Sequence, residues 1–350
     1  KEVTITLELG GNKQRYFHAV VANVAALGAR VSKDAADAEY RDYSLHLVAS
    51  AWYMKHRVNS RIFRAKNVLK IVEQIAGEHS VKVDVAAKIQ GSYPDYDFKV
   101  QYEESDWDFI QRLLQQEGIF YYFDHTQSSH KLILADKAAA YEPNAEAKVK
   151  FFSGSLSEAH IHSWQKALVM APGKFVQRHF DLKKPTALPT GTASKGQLVT
   201  GHADYEVFSY DAESEFHPRA KAIADIRLEA LQRDIARRNG ASNCRTFSIA
   251  KTFTITEHED AAEVGKQYVL TDLVLTAEIS SQTGAKKSAQ QQISNTFYCV
   301  PKEVAYRPRL SAAKPVIHGV QTATVTCKGS EEISIDELGR VTVKFHWDRS

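Results

Sequence analysis

Residues 104–123 read Glu-Ser-Asp-Trp-Asp-Phe-Ile-Gln-Arg-Leu-Leu-Gln-Gln-Glu-Gly-Ile-Phe-Tyr-Tyr-Phe. Ser105 is a capping residue type, Asp108 sits three positions on, and Gly118 supplies a stop, so the stretch predicts a helix over 105–117. Trp107, Ile110 and Leu114 share one apolar face of that helix, and Phe109 and Leu113 widen it. Asp106 and Asp108 fall at its start, where carboxylates stabilise exposed N–H groups, and capping accounts for both. After Gly118 come an aromatic strand through Phe120, Tyr121, Tyr122 and Phe123, a loop over 125–130 and a second strand over 131–135. Two of the four aromatics face inward and two outward, and the outward pair suits either another barrel or a neighbouring subunit. The segment specifies a helix docked on a hairpin. Nothing in it demands catalysis.

Working outward, strand patterns dominate. Val3, Ile5, Leu7 and Leu9 alternate with Thr4, Thr6 and Glu8, and Gly10-Gly11-Asn12-Lys13 turns the chain into a returning strand over 16–21. Further strands are predicted over 43–49, 251–256, 268–278 and 295–300. A helix over 67–79 places Val68, Val72, Ile75 and Ala76 on one face. A third, over 217–239, opens at His217-Pro218 and carries Ala220, Ala224, Leu228, Leu231 and Ile235 on one stripe. Arg237 and Arg238 fall in its last turn, and Asn239-Gly240 stops it. Residues 183–201 and 280–292 read as loops. The proline-bearing stretch 301–315 carries the chain between domains, with Pro308 and Pro315 stiffening the passage. The fold class is mainly β with inserted α/β parts.

The tail shows the same alternation. Asp336-Glu337-Leu338-Gly339 is a tight turn before Arg340, in which glycine supplies φ > 0. Val341, Val343, Phe345 and Trp347 then alternate with Thr342, Lys344, His346 and Asp348, so one face belongs in a barrel core. The stretch 316–350 is too short to close a barrel alone.

The 350 residues suffice for two or three cores. The charge of +3, from 45 basic and 42 acidic residues mixed along the chain, argues against nucleic-acid or membrane-surface binding. No apolar run approaches the ~20 residues of a membrane span. The opening residues read as a strand and not as a signal peptide. Cys244, Cys299 and Cys327 are widely spaced and form no CxxC pair, which indicates neither a zinc site nor a disulfide framework and points to folding in a reducing cytoplasm.

Catalytic and metal chemistry finds little support. His160 and His162 share a strand face, as a two-ligand site needs, but no carboxylate or cysteine accompanies them at helpful spacing. His258-Glu259 begins like HExxH and lacks the second histidine. Glycosidase chemistry would need two carboxylates across a cleft, for which Asp106 and Asp108 are the candidates. There is no GxSxG elbow and no GxxxxGK[ST] loop. No cofactor, metal or catalytic residue is expected.

The run ESDWDFIQRLLQQEGIFYYFDH, followed by HKLILAD, resembles the signature of the VgrG proteins of bacterial type VI secretion systems and of related phage tail hubs. KPVIHGVQTATVTCKGSEEISIDELGRVTVKFHWDR at 314–349 resembles the start of that family's OB-fold, and RPRL at 307–310 and NSRIFRAKNVLKIVEQI at 59–75 also fit. The resemblance makes Ser105, Asp106, Trp107, Asp108, Gly118, Tyr121, Tyr122, Gly339, Arg340, Trp347 and Asp348 structural motif residues. It implies two similar β-barrels in a head over 1–310, then a linker and the first strands of an OB-fold over 311–350. By the same resemblance the chain begins inside the first barrel and stops before the Val-Gly spike. It further implies a non-enzymatic homotrimer at the tip of the Hcp tube, with a PAAR-type tip protein and effectors as partners. Such a protein is made in the cytoplasm and delivered into target cells without a cleaved signal. A contractile prophage tail hub and a cell-wall glycosidase are the rival readings.

Overall fold

Every residue is described in the computed structural model except 11–12, 32–38, 182, 187, 195–203, 212–218, 280–290, 328–333 and 350. The chain divides into two compact units. One holds Lys1–Ser50, Lys82–Gln90 and Gly118–Arg309; the other holds Ala51–Val81, Gly91–Glu117 and Leu310–Ser350.

The first unit is built on strands. β1 (Glu2–Gly10), β2 (Lys13–Val31) and β3 (Glu39–Val48) form an antiparallel sheet in that order, with the hairpin register expected from the alternation. β5 (Val83–Lys88), β7 (Phe120–His125) and β8 (His130–Ala135) form a second sheet in the order β5-β8-β7. Six strands close a barrel in the order β10-β14-β17-β16-β15-β9: β9 (Glu142–Phe151), β10 (His160–Lys166), β14 (Arg238–Ser242), β15 (Lys251–Ile255), β16 (Gln267–Ile279) and β17 (Gln291–Pro301). Phe247, Phe253, Tyr268 and Phe297 fill it beside Ile161, Ile255 and Leu270. Each such side chain contributes about 1.5–3 kcal/mol on burial. The mainly β class is therefore observed. Of the two barrels implied, one closes among the described residues, and the N-terminal strands form the two three-stranded sheets.

A smaller sheet, β12-β11-β13, comprises β11 (Lys174–His179), β12 (Thr190–Ser194) and β13 (Glu206–Asp211). α3 (Ala220–Gln232) packs on it through Ala224 and Leu228 against Phe175 and Ala193. Two sequence expectations are corrected here. The loop over 183–201 contains β12, which Gly191 brings so close to α3 that a Cβ there would lie 2.0 Å from the Ala220 carbonyl oxygen. The third helix ends at Gln232, not 239. Leu231 is exposed, and Arg238, Asn239 and Gly240 belong to β14 and pair with β10 and β17. Gly240 is there because a Cβ would lie 2.6 Å from the Phe297 ring; it is no helix stop. His217-Pro218 lies outside the described residues.

In the second unit β4 (Val58–Lys66) pairs with β6 (Tyr96–Ser105), and α1 (Val68–Glu78) and α2 (Asp106–Glu117) lie against them. Asn67 caps α1 by accepting the Lys70 N–H. Val68, Ile71, Val72, Ile75 and Ala76 are buried, as the 3.6-residue spacing predicts. β18 (Ala323–Thr326) and β19 (Thr342–Phe345) make a two-stranded ribbon. No barrel closes around it among the described residues. Val341 is exposed, and Phe345 and Trp347 stack on each other at 5.1 Å, with Trp347 also edge-on to Tyr102.

Candidate functional site

α2 carries the signature. Ser105 Oγ accepts the Asp108 N–H at 3.1 Å and donates its proton to Asp108 Oδ2 at 2.6 Å, a reciprocal cap. Trp107, Phe109, Ile110, Leu113 and Leu114 are all buried, so the helix presents the face read from the sequence. Phe109 stacks on Phe63 at 5.4 Å. Arg112, buried beside it, donates to Glu104 at 2.5 Å and to the Val100 carbonyl at 3.0 Å.

Asp106 is not a cap. Its carboxylate is fully buried and collects four donors. Oδ1 accepts from Arg61 at 3.1 Å and Gln101 at 2.8 Å; Oδ2 accepts from Arg57 at 2.5 Å and His79 at 2.8 Å. Glu78 pairs with the same two arginines, with Arg61 at 2.8 Å. Burial alone would raise the Asp106 carboxyl, but hydrogen bonds from Gln101, His79 and Arg57 outweigh it and hold the group below its ordinary 3.8. A carboxylate so occupied has no acceptor position left for a substrate proton, and Asp108 is committed to Ser105. The glycosidase geometry is therefore not assembled from this pair.

At the other end of the signature Gly118 takes φ +72°, where a Cβ would meet Ile226 at 2.6 Å. Its carbonyl accepts from Arg307 Nη1 at 3.0 Å. The same guanidinium donates to the Asp136 carbonyl and, through Nε, to Glu229 at 2.9 Å. Arg307 thus clamps the start of the hairpin to α3, a role the RPRL motif did not disclose. Phe120 is buried against Tyr141 and Tyr306, at 5.6 and 5.7 Å. Tyr122 packs on the same cluster, and burial beside Glu142 pushes its phenol up to about 12. The expected outward pair is half-buried rather than free: Tyr121 lies against Phe123, and Phe123 against the His130 ring.

In the tail, Asp336 Oδ1 accepts the N–H groups of Leu338 and Arg340, both at 2.9 Å, and Arg340 Nε donates to Oδ2 at 2.5 Å. Gly339 has φ +70°, as the turn requires. Trp347 Nε1 donates to Gln321 at 3.0 Å, and the Asp348 N–H donates to the Phe345 carbonyl at 3.0 Å. His160 is buried with its ring nitrogens near the carbonyls of Glu158 and Gly154, while His162 is exposed. No group of three metal-binding side chains occurs among the described residues. Sequence reading also missed Arg238 and Glu263, a buried pair at 3.0 Å with the Tyr268 hydroxyl donating to the same carboxylate.

The family described as phage tail baseplate hub (GPD) matches residues 1–281. The chain belongs to that family. It is 30% identical over 362 residues to the type VI secretion system spike protein VgrG1c of Pseudomonas aeruginosa, covering 100% of this chain and 47% of the relative. VgrG4b of the same organism is 31% identical over 88% of this chain and 39% of its own length. The chain spans about half the length of the VgrG1 relatives it matches. Among solved structures, the E. coli c3393 protein, a type VI secretion component, superposes with a TM-score of 0.65 at 18% identity, covering 97% of this chain and 76% of that one. A 43 kDa tail protein of prophage MuSo2 from Shewanella oneidensis gives 0.52 at 9% identity, covering 87% and 90%. These two likenesses establish the fold.

Proposed function

We propose that this chain is the head of a type VI secretion spike, a mechanical hub and not an enzyme. Three copies sit at the tip of the Hcp tube and are driven with it into a target cell, with a PAAR-type tip protein and effectors carried beyond. The observation that supports this is the likeness to VgrG1c along the whole of this chain, whereas prophage tail proteins share its fold at 9% identity. The occupied carboxylate of Asp106 supports a structural role for the signature. In this reading residues 1–310 form the head and 311–350 the linker and first OB-fold strands. Synthesis is cytoplasmic and delivery needs no cleaved signal; among the described residues no helix is long and apolar enough to cross a membrane.

Light scattering of the chain over a range of concentrations tests the assembly. A mass of three chains is expected. A monomer that persists at high concentration, also in a chain extended past Ser350, overturns it. The second reading, a contractile prophage tail hub, draws on the family match; it predicts that the chain reaches the medium only in tail particles, not through a secretion tube.

A further inference from the structure

Three histidines meet where the N-terminal sheet touches the signature hairpin. His18 on β2 and His130 on β8 are buried, and His125 on β7 is partly buried. Their hydrogen bonds fix the protons. The Ser50 backbone N–H can only donate, and it lies 2.8 Å from His130 Nε2, so that nitrogen carries the lone pair and the ring proton sits on Nδ1. That proton points at His18 Nδ1, 2.9 Å away. His18 therefore holds its own proton on Nε2, toward Glu2 at 3.8 Å. His125 Nδ1 donates to the His18 carbonyl at 3.1 Å.

We infer that this cluster is an acid-operated latch joining the β1-β2-β3 sheet and Ser50 to the β7-β8 hairpin. Neutral, it makes three ring bonds: Ser50 N–H to His130, His130 to His18, and His125 to the His18 carbonyl. A proton added to His130 sets its Nε2–H against the Ser50 N–H, which loses its acceptor, and leaves the Ser50 hydroxyl, 2.9 Å from Nε2, to accept the ring proton instead. A proton added to His18 sets His18 Nδ1–H against His130 Nδ1–H. If His130 then shifts its own proton to Nε2, the clash moves to Ser50. Whichever of His130 and His18 takes the first proton, the Ser50 N–H bond or the His130–His18 bond is lost, whereas a proton on His125 Nε2 leaves its bond to the His18 carbonyl in place.

The surrounding charges do not cancel this. Glu2 on β1 faces His130 and Asp124 on β7 faces His125, both favouring protonation, while Arg15 on β2 opposes it. Burial is the largest influence and lowers both His125 and His130 below 6.5. The sign follows. Unfolded rings bind protons as pH falls through 6.5 while the folded cluster resists, so stability is full above that value and declines below it.

Amide exchange at Ser50, corrected to protection factors in the intact chain at pH 7.5 and 5.0, is the test. The loss of one hydrogen bond predicts a fall of about tenfold at Ser50, with Leu270 in the barrel unchanged. In His130→Gln, which keeps a donor and an acceptor but does not titrate, the pH dependence should vanish. Equal protection at both pH values, or an equal fall at Leu270, overturns the latch. Should His130→Gln not fold, the ring nitrogen shifts of the unmodified protein decide: at pH 7.5 His130 must carry its proton on Nδ1, and a proton on Nε2 refutes the inference.

Discussion

Asp106 and Glu263 are both buried carboxylates facing arginine, yet the protein compensates them in opposite ways. Glu263 is sealed. Its partner Arg238 is 3% exposed, Tyr268 donates to the same carboxylate, and Lys166 and Lys266 stand farther off at 3.8 and 4.0 Å. Asp106 shares two arginines with Glu78, and those arginines reach solvent, Arg57 being 37% exposed. The sealed carboxylate has one arginine as its close counter-charge. A distributed network has partners to spare, and the difference sets how each should fail.

The largest effect is expected at the sealed pair. Arg238→Met leaves Glu263 charged in the barrel end and should cost about 3–5 kcal/mol, read from urea unfolding midpoints. Adding Glu263→Gln to it should recover much of that loss, because a neutral amide needs no counter-charge. A cost below about 1 kcal/mol for Arg238→Met would show that the two lysines already suffice. The pH dependence sharpens the point. Burial would raise Glu263, but the Arg238 and Tyr268 hydrogen bonds prevail and hold it below 4.5, so its contribution is present above 4.5 and lost as pH falls through the folded value. Without Arg238 burial is less opposed, and the variant should regain ground on the wild type as pH drops from 7 toward 4.5.

Asp106→Asn should cost less, about 2–3 kcal/mol, because Glu78 remains to compensate Arg57 and Arg61. Its wild-type contribution is likewise present above 3.8 and lost below as the carboxyl titrates. A loss as large as that of Arg238→Met would mean the network is not distributed at all, and Glu78→Gln in the same background would then add nothing.

These two sites also mark what sequence could and could not disclose. The cap at Ser105, the apolar face of α2 and the stop at Gly118 are local signals, read over three or four residues, and all three are in place. Gln101 is five residues from Asp106, but Arg57, Arg61 and His79 lie 49, 45 and 27 residues away, and no local pattern joins them, so a buried hub of charge looks in the sequence like a second cap. Arg238 is hidden for a related reason. Leu231 and Ile235 prolong the helical spacing of α3, and two arginines before Asn-Gly imitate a helix end. The barrel instead needs a strand there, and its carboxylate sits 25 residues further on. In the tail the alternation Val341-Val343-Phe345-Trp347 is legible, but alternation says only that two faces differ. Which face is covered depends on what packs against it.

The smallest effects separate backbone from packing at two glycines the sequence marks alike. Gly118 and Gly339 have nearly the same φ, +72° and +70°, so alanine meets the same left-handed penalty at both, about 1 kcal/mol. At Gly339 nothing lies within 4 Å of the position a methyl would take, and Gly339→Ala should cost no more than that penalty. At Gly118 the methyl would sit 2.6 Å from Ile226 Cγ2 and 3.3 Å from Arg307 Cδ, so Gly118→Ala should cost about 2 kcal/mol or more. Ile226→Ala, made alone and in the Gly118→Ala background, tests the origin of the excess: if the glycine change costs less once the Cγ2 methyl is gone, the excess is steric. If both glycine variants lose the same amount in the wild-type background, Ile226 yields without penalty, and Gly118 is held by its dihedral angle alone.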